Sequence, residues 1–444
     1  MSRLLPLVML SVAWTVAPAR ADCEAPVRDA ELLHRALRGL TATIVHDVFP
    51  PPVASRIYVY SSIAAHEAMA ASGEGAAPSL AGRVRELTPP PAPEPGVCAP
   101  AAALIALLEV GRTLTFSEDR MTELRAEIES ELRRRGLSEE QLGRAAGYGT
   151  LVAKHVLKWA GGDKYKESRS WTRYDPRGSD DRWVPTGPDY MEAVEPNWSK
   201  IRTLALDHSD QYPPPPPPEF STEPASRFHR EALEVYETSR KLDAEQRAIA
   251  RFWDCNPFAS NHIGHLMVGI KKMSPGGHWM SIATIAARKS GASFAESAWI
   301  YSTTSIALFD GFISCWVEKY RSEVIRPETY IGRNLDAAWQ PLLQTPPFPE
   351  YTSGHSVISN AAATVLTALL GAEFAFLDNS EDDYGLPARP FPSFLAAAEE
   401  AAISRLYGGI HYRAAIENGV AQGRAVGRHV VERLELAPLK GGGR

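Results

Sequence analysis

Residues 353–370, SGHSVISNAAATVLTALL, decide the fold, because a polar Ser-Gly-His triplet directly precedes a long apolar run. The spacing of the apolar residues predicts a helix over residues 357–370. A helix N-terminus carries unpaired backbone N–H groups and a positive partial charge, so this one is suited to an anion. Gly354 lets the backbone approach such a ligand, Ser353 can donate a hydroxyl hydrogen bond, and His355 is placed to move a proton. An ordinary Ser N-cap beside a surface histidine is the alternative.

A second pattern lies upstream at residues 316–327, WVEKYRSEVIRP. Lys319 and Arg326 are separated by close to two helical turns, so a helix that continues past Lys319 places both cations on one face. Pro327 favours a helix end at Arg326. A solvated basic helix face is the alternative interpretation of this segment.

A third pattern, SRLYGGIH, occupies residues 404–411. Arg405 closes a predicted helix, and Gly408-Gly409 interrupt it so that His411 can turn back toward the arginine. A neutral imidazole can bind phosphorus or a metal oxyanion through one ring nitrogen, although a core histidine near a helix end is the alternative. Together the three patterns predict a site with three cations and two histidines for a tetrahedral or trigonal-bipyramidal oxyanion.

The order and spacing of these patterns resemble the vanadium-dependent haloperoxidases and their relatives, the type 2 phosphatidic acid phosphatases and the bacterial class A acid phosphatases. The resemblance implies that Lys319, Arg326 and Arg405 bind the non-bridging oxygens of vanadate or phosphate. It also implies hydrogen bonds to the oxyanion from the Ser353 hydroxyl and the Gly354 amide. Three permanent cations in a dry pocket would offset the charge of such an anion and stabilise charge gained in the transition state.

The same resemblance implies that His355 is the acid–base residue and that His411 is the ligand of the vanadate metal or, in a phosphatase, the nucleophile that forms a phosphohistidine. The chain departs from the family where an aspartate normally stands behind the ligand histidine, because Ala415 occupies that position. Such a carboxylate orients the imidazole and raises its basicity. Either Glu417 or a carboxylate from the N-terminal domain replaces it, or His411 is less basic and binds the oxyanion more weakly.

Two aromatic residues favour the haloperoxidase side of the resemblance. Trp316 precedes Lys319 by three residues, and Phe348 precedes His355 by seven. In chloroperoxidase-like members the aromatic residues at these places line the halide site. Plain core packing of Trp316 and Phe348 is the alternative.

Three functions follow as hypotheses. The first is a vanadium-dependent haloperoxidase that uses hydrogen peroxide to oxidise a halide at a vanadate bound by His411, with the metal acting as a Lewis acid. The second is an acid phosphatase that hydrolyses a phosphomonoester in the same pocket without vanadate. The third is a degenerate, non-catalytic oxyanion-binding protein, which Ala415 keeps open.

The chain as a whole predicts an all-α fold of two packed helical bundles, the C-terminal one carrying the oxyanion site. Helical periodicity recurs throughout, residues 263–273 included, and no stretch alternates as a strand would. We expect an N-terminal helical domain over 22–225, a haloperoxidase/phosphatidic acid phosphatase-like domain over 226–436 and a flexible tail over 437–444. Residues 162–223 end in a Pro-rich segment, 213–218, that is expected to wrap the surface or roof the site.

Residues 1–21 are typical of a signal peptide, with Arg3 before an apolar segment and a small-x-small site at residues 19–21. A periplasmic or secreted protein is therefore expected, and no transmembrane segment is predicted. Export permits a disulfide, for which Cys23 and Cys98 are candidates, whereas Cys315 fits a buried free thiol. No cysteine spacing is typical of a zinc site.

Composition bounds the partners of the protein. The 444 residues are 44% hydrophobic and 23% charged, which is a globular composition. The net charge of −6 and the absence of a long basic stretch argue against nucleic acid as the main partner. Small molecules are expected instead, either hydrogen peroxide with a halide or a phosphomonoester, and a homodimer is left open.

Overall fold

The computed structural model describes residues 29–176, 178–263 and 265–439, and these are mainly helical, which confirms the predicted all-α class. The described α-helices are α1 Glu31–His46, α2 Pro51–Ala71, α3 Ala99–Leu114, α4 Glu118–Arg134, α5 Glu139–Ala160, α6 Tyr165–Ser168, α7 Arg227–Arg240, α8 Ala244–Phe252, α9 Pro275–Ser290, α10 Phe294–Ser322, α11 Pro327–Asn334, α12 Gly354–Leu370, α13 Phe394–Tyr407 and α14 Arg413–Arg433. Short 3-10 helices lie at Trp198–Lys200 and Asp382–Tyr384.

Four short strands form two antiparallel hairpins, β1 Ser260–Ile263 with β2 Leu266–Gly269, and β3 Phe376–Asp378 with β4 Arg389–Phe391. The helix predicted over residues 263–273 is therefore wrong, as is the expectation that the chain lacks strands. A short apolar run cannot separate a strand from a helix by periodicity alone, and two glycines in this one, at positions 264 and 269, disfavour a helix.

The central element is α10, a 29-residue helix that packs against α2, α9, α12 and α14. Almost all of α10 is buried, as is α2. One hydrophobic core runs through both halves of the chain, from Leu33 in α1 to Leu366 in α12. A smaller cluster forms around Phe228 and Tyr330 beside the C-terminal helices. The domain boundary at residues 225–226 remains a prediction.

Glycines bring α14 against α12 closely enough to position the site. A Cβ on Gly423 would lie 2.1 Å from the backbone oxygen of Val357, and one on Gly419 would lie 3.1 Å from that of Ser353. The contact at Gly423 leaves no room for a side chain, and the one at Gly419 leaves little, so the two helices approach closely at these places. The start of α12, which carries the Ser-Gly-His triplet, is thereby fixed against α14.

Two chain breaks shape the site. The helix α10 ends at Ser322, where Glu323 adopts a left-handed backbone, and Arg326 caps the next helix with Pro327 in its first turn. The prediction that one helix face carries both Lys319 and Arg326 is therefore wrong, since a turn separates them. The predicted break after Arg405 is confirmed, because α13 ends at Tyr407 and Gly409 has a φ of 77°.

The long segment between α6 and α7 lies on the C-terminal helices. The buried Asp310 of α10 accepts hydrogen bonds from three consecutive amides, residues 204–206, which anchors one part of it. Further on, Tyr351 donates its hydroxyl hydrogen to Pro215 O, so the Pro-rich segment contacts the loop that precedes α12. Prolines 213–218 are absent from the residues lining the cavity of the site described below.

Among the described residues, none of the helices has both the length and the apolar character needed to cross a membrane. Cys255 and Cys315 are buried free thiols, as expected for Cys315. Cys98 is disulfide-bonded. The predicted signal peptide and Cys23 lie outside the described residues.

Candidate active site

The three sequence patterns converge on His411, which follows the break after α13. Its Nδ1 lies 2.8 Å from Glu350 Oε1, and the same oxygen accepts the Tyr412 amide at 2.9 Å. Arg326 Nη1 can only donate and lies 3.2 Å from Nε2, so Nε2 carries the lone pair that a ligand can use and Nδ1 donates its proton to Glu350. Glu350 therefore takes the place of the carboxylate that Ala415 lacks.

Both carboxylate sources considered from the sequence are wrong. Glu417 is mostly exposed and pairs with Arg413 at 3.7 Å, and the N-terminal half contributes no carboxylate to His411 among the described contacts. Ala415 instead offers its backbone oxygen to the Ser353 amide at 3.0 Å. Glu350 comes from the loop before α12, within the sequence FPEYTSGH, which already held the predicted Phe348 and Ser353.

Arg326 is fully buried beside His411. Its Nη1 donates to Ile410 O at 2.8 Å and lies 3.2 Å from His411 Nε2, and its Nε donates to Phe348 O at 2.9 Å. The remaining Nη2 has no hydrogen-bond partner. A buried guanidinium with one free arm next to the ligand nitrogen is suited to an oxyanion.

Lys319 is also fully buried, at the end of α10. Its ammonium group donates to the backbone oxygens of Pro349, Glu350 and Thr352, at 3.0, 3.0 and 2.6 Å. The lysine therefore holds the loop before α12 in place, in addition to contributing a positive charge. Burial lowers the pKa of Lys319 to about 8, so its charge is costly without a nearby anion.

The start of α12 is built as the sequence predicted. Ser353 Oγ caps the helix by accepting from the Ser356 amide at 3.3 Å, which leaves the hydroxyl hydrogen able to donate elsewhere. Gly354 lines the cavity and has the side chain of Trp316 as its nearest neighbour, 3.8 Å from a Cβ placed on it. The helix terminus thus faces the cavity without a side chain in the way.

Arg405 and His355 complete the polar wall. Arg405 donates through Nη1 to Trp253 O, and its Nε has no partner. His355 Nε2 also lacks a partner. Burial, together with the charge of Arg405 and other nearby cations, lowers the pKa of His355 well below its usual value, and burial and Arg326 do the same for His411. Both histidines are therefore neutral near pH 7.

These groups surround a cavity of about 40 Å³. Of the predicted residues, Trp316, Phe348, Gly354, His355, Arg405 and His411 line it. Lys319, Arg326 and Ser353 are not among its lining residues, although Arg326 contacts His411 directly. Residues 254–258 and Pro51 also line the cavity. The Trp316 and Phe348 rings lie 5.0 Å apart, so the predicted aromatic pair does form one wall.

The polar atoms left without partners fit a bound vanadate. Arg326 Nη2 and Arg405 Nε are donors that no described group satisfies, and unsatisfied buried donors are rare and costly. His355 Nε2 is a further buried polar atom without a partner. An anion with several oxygens would accept from the arginines and relieve the repulsion among the buried cations.

The fold is mainly helical, and its site combines buried cations, a helix N-terminus and a histidine backed by a carboxylate. These features define an oxyanion-binding enzyme of the haloperoxidase and phosphatase class. Within that class, residues 299–437 match the family model of the VCPO second helical-bundle domain. A crystal structure of a bacterial vanadium-dependent iodoperoxidase shares 45% sequence identity with this chain, with a TM-score of 0.87, and the match covers 93% of this chain and 98% of that chain. The chain belongs to the vanadium-dependent haloperoxidases, and it is an enzyme of that type.

More distant structures share the fold alone. Holo-type bacterial vanadium-dependent chloroperoxidase gives a TM-score of 0.65 at 17% identity, covering 88% of this chain and 93% of that chain. The apo-type enzyme gives a TM-score of 0.66 at 18% identity, and the match covers 87% of this chain and 94% of that chain. No curated protein sequence matches the chain.

Proposed function

We propose that this haloperoxidase oxidises iodide with hydrogen peroxide, using vanadate held at His411. The observation that carries the vanadate assignment is the 2.8 Å contact between His411 Nδ1 and Glu350, which directs the Nε2 lone pair to a ligand. Iodide is proposed because the structure that covers 93% of this chain at 45% identity is that of an iodoperoxidase. Bound vanadate supplies a Lewis acid that activates hydrogen peroxide toward the halide.

The protein residues bind, orient and transfer protons. Arg326 would hold a vanadate oxygen through its unpaired Nη2, and Arg405 would do so through its unpaired Nε. Lys319, which is bonded to the loop before α12, would add positive charge. Ser353 and the Gly354 amide would add hydrogen bonds at the start of α12. His355, neutral and without a partner at Nε2, is placed to take a proton from hydrogen peroxide and return it later.

The halide is proposed to approach along the wall formed by Trp316 and Phe348. Their rings line the cavity, and the Lys319 ammonium lies 5.7 Å and 5.0 Å from the two ring centroids. An apolar wall backed by a positive charge suits a large, weakly hydrated anion, because desolvation costs little there.

The test is a paired assay on purified protein reconstituted with orthovanadate. We expect peroxide-dependent triiodide formation that requires vanadate, falls to background in His411→Ala and persists in His208→Ala, since His208 is exposed and pairs with Asp210. Bromide and chloride are assayed in parallel to rank the halides. Turnover of bromide or chloride in preference to iodide would overturn the iodide assignment.

The phosphatase alternative has its own arm in the same experiment. Aryl phosphate hydrolysis is measured without vanadate, using the same wild-type and His411→Ala proteins. Phosphate release that vanadate inhibits, without any halide oxidation, would replace the peroxidase proposal. The contact between Glu350 and His411 weakens the non-catalytic hypothesis, because it restores the carboxylate whose absence at Ala415 had suggested it.

We also propose that the enzyme is exported to the periplasm or secreted. The disulfide bond of Cys98 supports this, since disulfides persist mainly in oxidising compartments. Expression with and without residues 1–21 followed by cell fractionation tests the proposal. Equal retention of both forms in the cytoplasm would contradict it.

A further inference from the structure

A second polar cluster lies behind the oxyanion cavity. It consists of Cys255, which also lines that cavity, His278 in α9 and Glu381 next to the 3-10 helix Asp382–Tyr384. All three side chains are buried. One atom from each, Cys255 Sγ, His278 Nδ1 and a Glu381 carboxylate oxygen, lies within 4.8 Å of the other two. None of the three residues has a part in the oxyanion chemistry described above.

Hydrogen bonding leaves one buried atom of this cluster without a partner. His278 Nδ1 lies 3.3 Å from Cys255 Sγ and 3.3 Å from Glu381 Oε1. A ring nitrogen has either one hydrogen or one lone pair, so it can serve only one of these partners. Glu381 Oε1 accordingly makes no hydrogen bond although it is buried. A single cation between the three atoms would satisfy all of them.

The other ring nitrogen of His278, Nε2, faces a carboxylate, as is usual for a histidine that binds a metal. His278 Nε2 lies 2.8 Å from Asp378 Oδ2, and Asp378 Oδ1 accepts from the amide and hydroxyl of Ser380 at 3.0 and 2.6 Å. A carboxylate held in this way keeps the proton on Nε2, so that Nδ1 can give up its own proton and offer a lone pair to a cation between Cys255 and Glu381. This carboxylate–histidine arrangement is a recurrent support for metal-bound histidines.

We propose that Cys255, His278 and Glu381 form a metal site for Zn²⁺. A thiolate, an imidazole and a carboxylate are the ligand types that zinc takes, at about 2.0–2.3 Å. At tetrahedral angles such bonds separate neighbouring ligand atoms by about 3.3–3.6 Å. The two observed separations of 3.3 Å agree with this geometry. The thiolate and carboxylate charges balance Zn²⁺, and three protein ligands leave a fourth position for water.

The cluster is joined to the oxyanion site by the segment that precedes Cys255. Trp253 stacks on the His278 ring at 4.5 Å, and its backbone oxygen accepts from Arg405 Nη1. Zinc bound to Cys255 would therefore fix the segment that orients Arg405. The metal acts as a positioning element for the oxyanion cavity, separate from the vanadate itself.

The test measures zinc in vanadate-loaded protein, so that His411 is already occupied. Wild type, Cys255→Ser and Cys315→Ser are equilibrated with Zn²⁺, passed over a desalting column and analysed by elemental mass spectrometry. We expect one zinc per chain in wild type and in Cys315→Ser, whose thiol is also buried but belongs to no group of possible metal ligands among the described residues, and loss of zinc in Cys255→Ser. Circular dichroism establishes that each variant is folded.

Further variants keep the cysteine and change its partners. Asp378→Asn is expected to weaken zinc binding by about 10–100-fold, the usual effect of removing the group that orients a ligand. Glu381→Gln replaces a charged ligand by a neutral one and should weaken zinc binding at least as much. Cobalt substitution should give a thiolate-to-cobalt charge-transfer band in wild type and none in Cys255→Ser. Wild-type protein that retains no zinc, or folded Cys255→Ser and Glu381→Gln proteins that retain as much as wild type, would overturn the proposal. Halide oxidation is assayed separately, so failure of the zinc site leaves the haloperoxidase proposal standing.

Discussion

At the residue scale, Glu350 is the main addition of the structure to the predicted site. Lys319, Arg326, Ser353, Gly354, His355, Arg405 and His411 could all be proposed from spacing, because each belongs to a compact motif. Glu350 could not, since it is 61 positions from His411 in sequence and reaches it only through the folded loop. A signal was present nonetheless, because a glutamate stands two residues after Phe348 in an apolar, proline-rich segment where a buried charge requires a partner.

Replacing Glu350 tests this assignment directly. Glu350→Gln keeps the shape of the side chain but removes the charge that makes His411 basic, so vanadate affinity should fall by about 10–100-fold. The dissociation constant is measured by titrating apoenzyme activity with orthovanadate. Burial raises the pKa of Glu350 to about 8, so the difference between the two proteins should grow as pH rises through that value and the wild-type carboxyl ionises.

The matched control is Glu417→Gln, which removes the carboxylate nearest to the family's usual position in sequence. Glu417 is mostly exposed and faces Arg413 at 3.7 Å, so vanadate affinity should be unchanged. A large loss in Glu417→Gln with none in Glu350→Gln would reverse the assignment.

At the element scale, the long helices were predictable because their apolar periodicity is sustained over many residues. The hairpin formed by Ser260–Ile263 and Leu266–Gly269 was not, because its apolar run is too short to distinguish the two periods. The extension of α10 to Arg326, which Pro327 suggested, was wrong, because the helix ends at Ser322. The close contact of α12 and α14 was invisible in sequence although the glycines that permit it, Gly419 and Gly423, stand four residues apart.

Gly423→Ala tests that contact. The new Cβ would meet the Val357 backbone at 2.1 Å, and backbone cannot move aside as a side chain can, so the two helices must separate. We expect a loss of about 1–3 kcal/mol in the free energy of unfolding, the usual cost of overpacking. Chemical denaturation followed by circular dichroism measures it. Vanadate affinity should fall as well, because Ser353 and Gly354 move with α12.

Gly332→Ala is the matched control within a helix. A Cβ at Gly332 in α11 meets nothing within 4 Å, so alanine should be neutral or stabilise the protein by about 0.4–1 kcal/mol. Equal effects of the two alanine substitutions would mean that the approach of α12 to α14 does not set stability.

At the scale of the whole molecule, the two halves share one core, and this explains why the site could be predicted only in part. The C-terminal motifs supply the oxyanion groups, but Pro51 and residues 254–258 close the cavity from outside those motifs. Which distant segment covers a site depends on packing of the entire chain, which motif spacing does not encode. The same packing buries Lys319, Arg326 and Arg405 together, where like charges repel and water cannot screen them.

That burial predicts that vanadate stabilises the entire protein. Burial lowers the pKa of Lys319 to about 8 and that of Arg326 to about 10, which means that the charged forms are disfavoured there. A bound anion removes this penalty, and orthovanadate at 100 times its dissociation constant should add about 2.7 kcal/mol to the free energy of unfolding. The observable is the rise in Tm with orthovanadate concentration.

Lys319→Met should reduce this response, because it removes one of the positive charges that the bound anion would offset. Arg38→Ala, which changes an exposed arginine paired with Asp383, should leave the response intact. A Lys319→Met protein that is less stable when empty and yet responds fully to vanadate would show that the lysine acts through its three backbone hydrogen bonds and not through its charge.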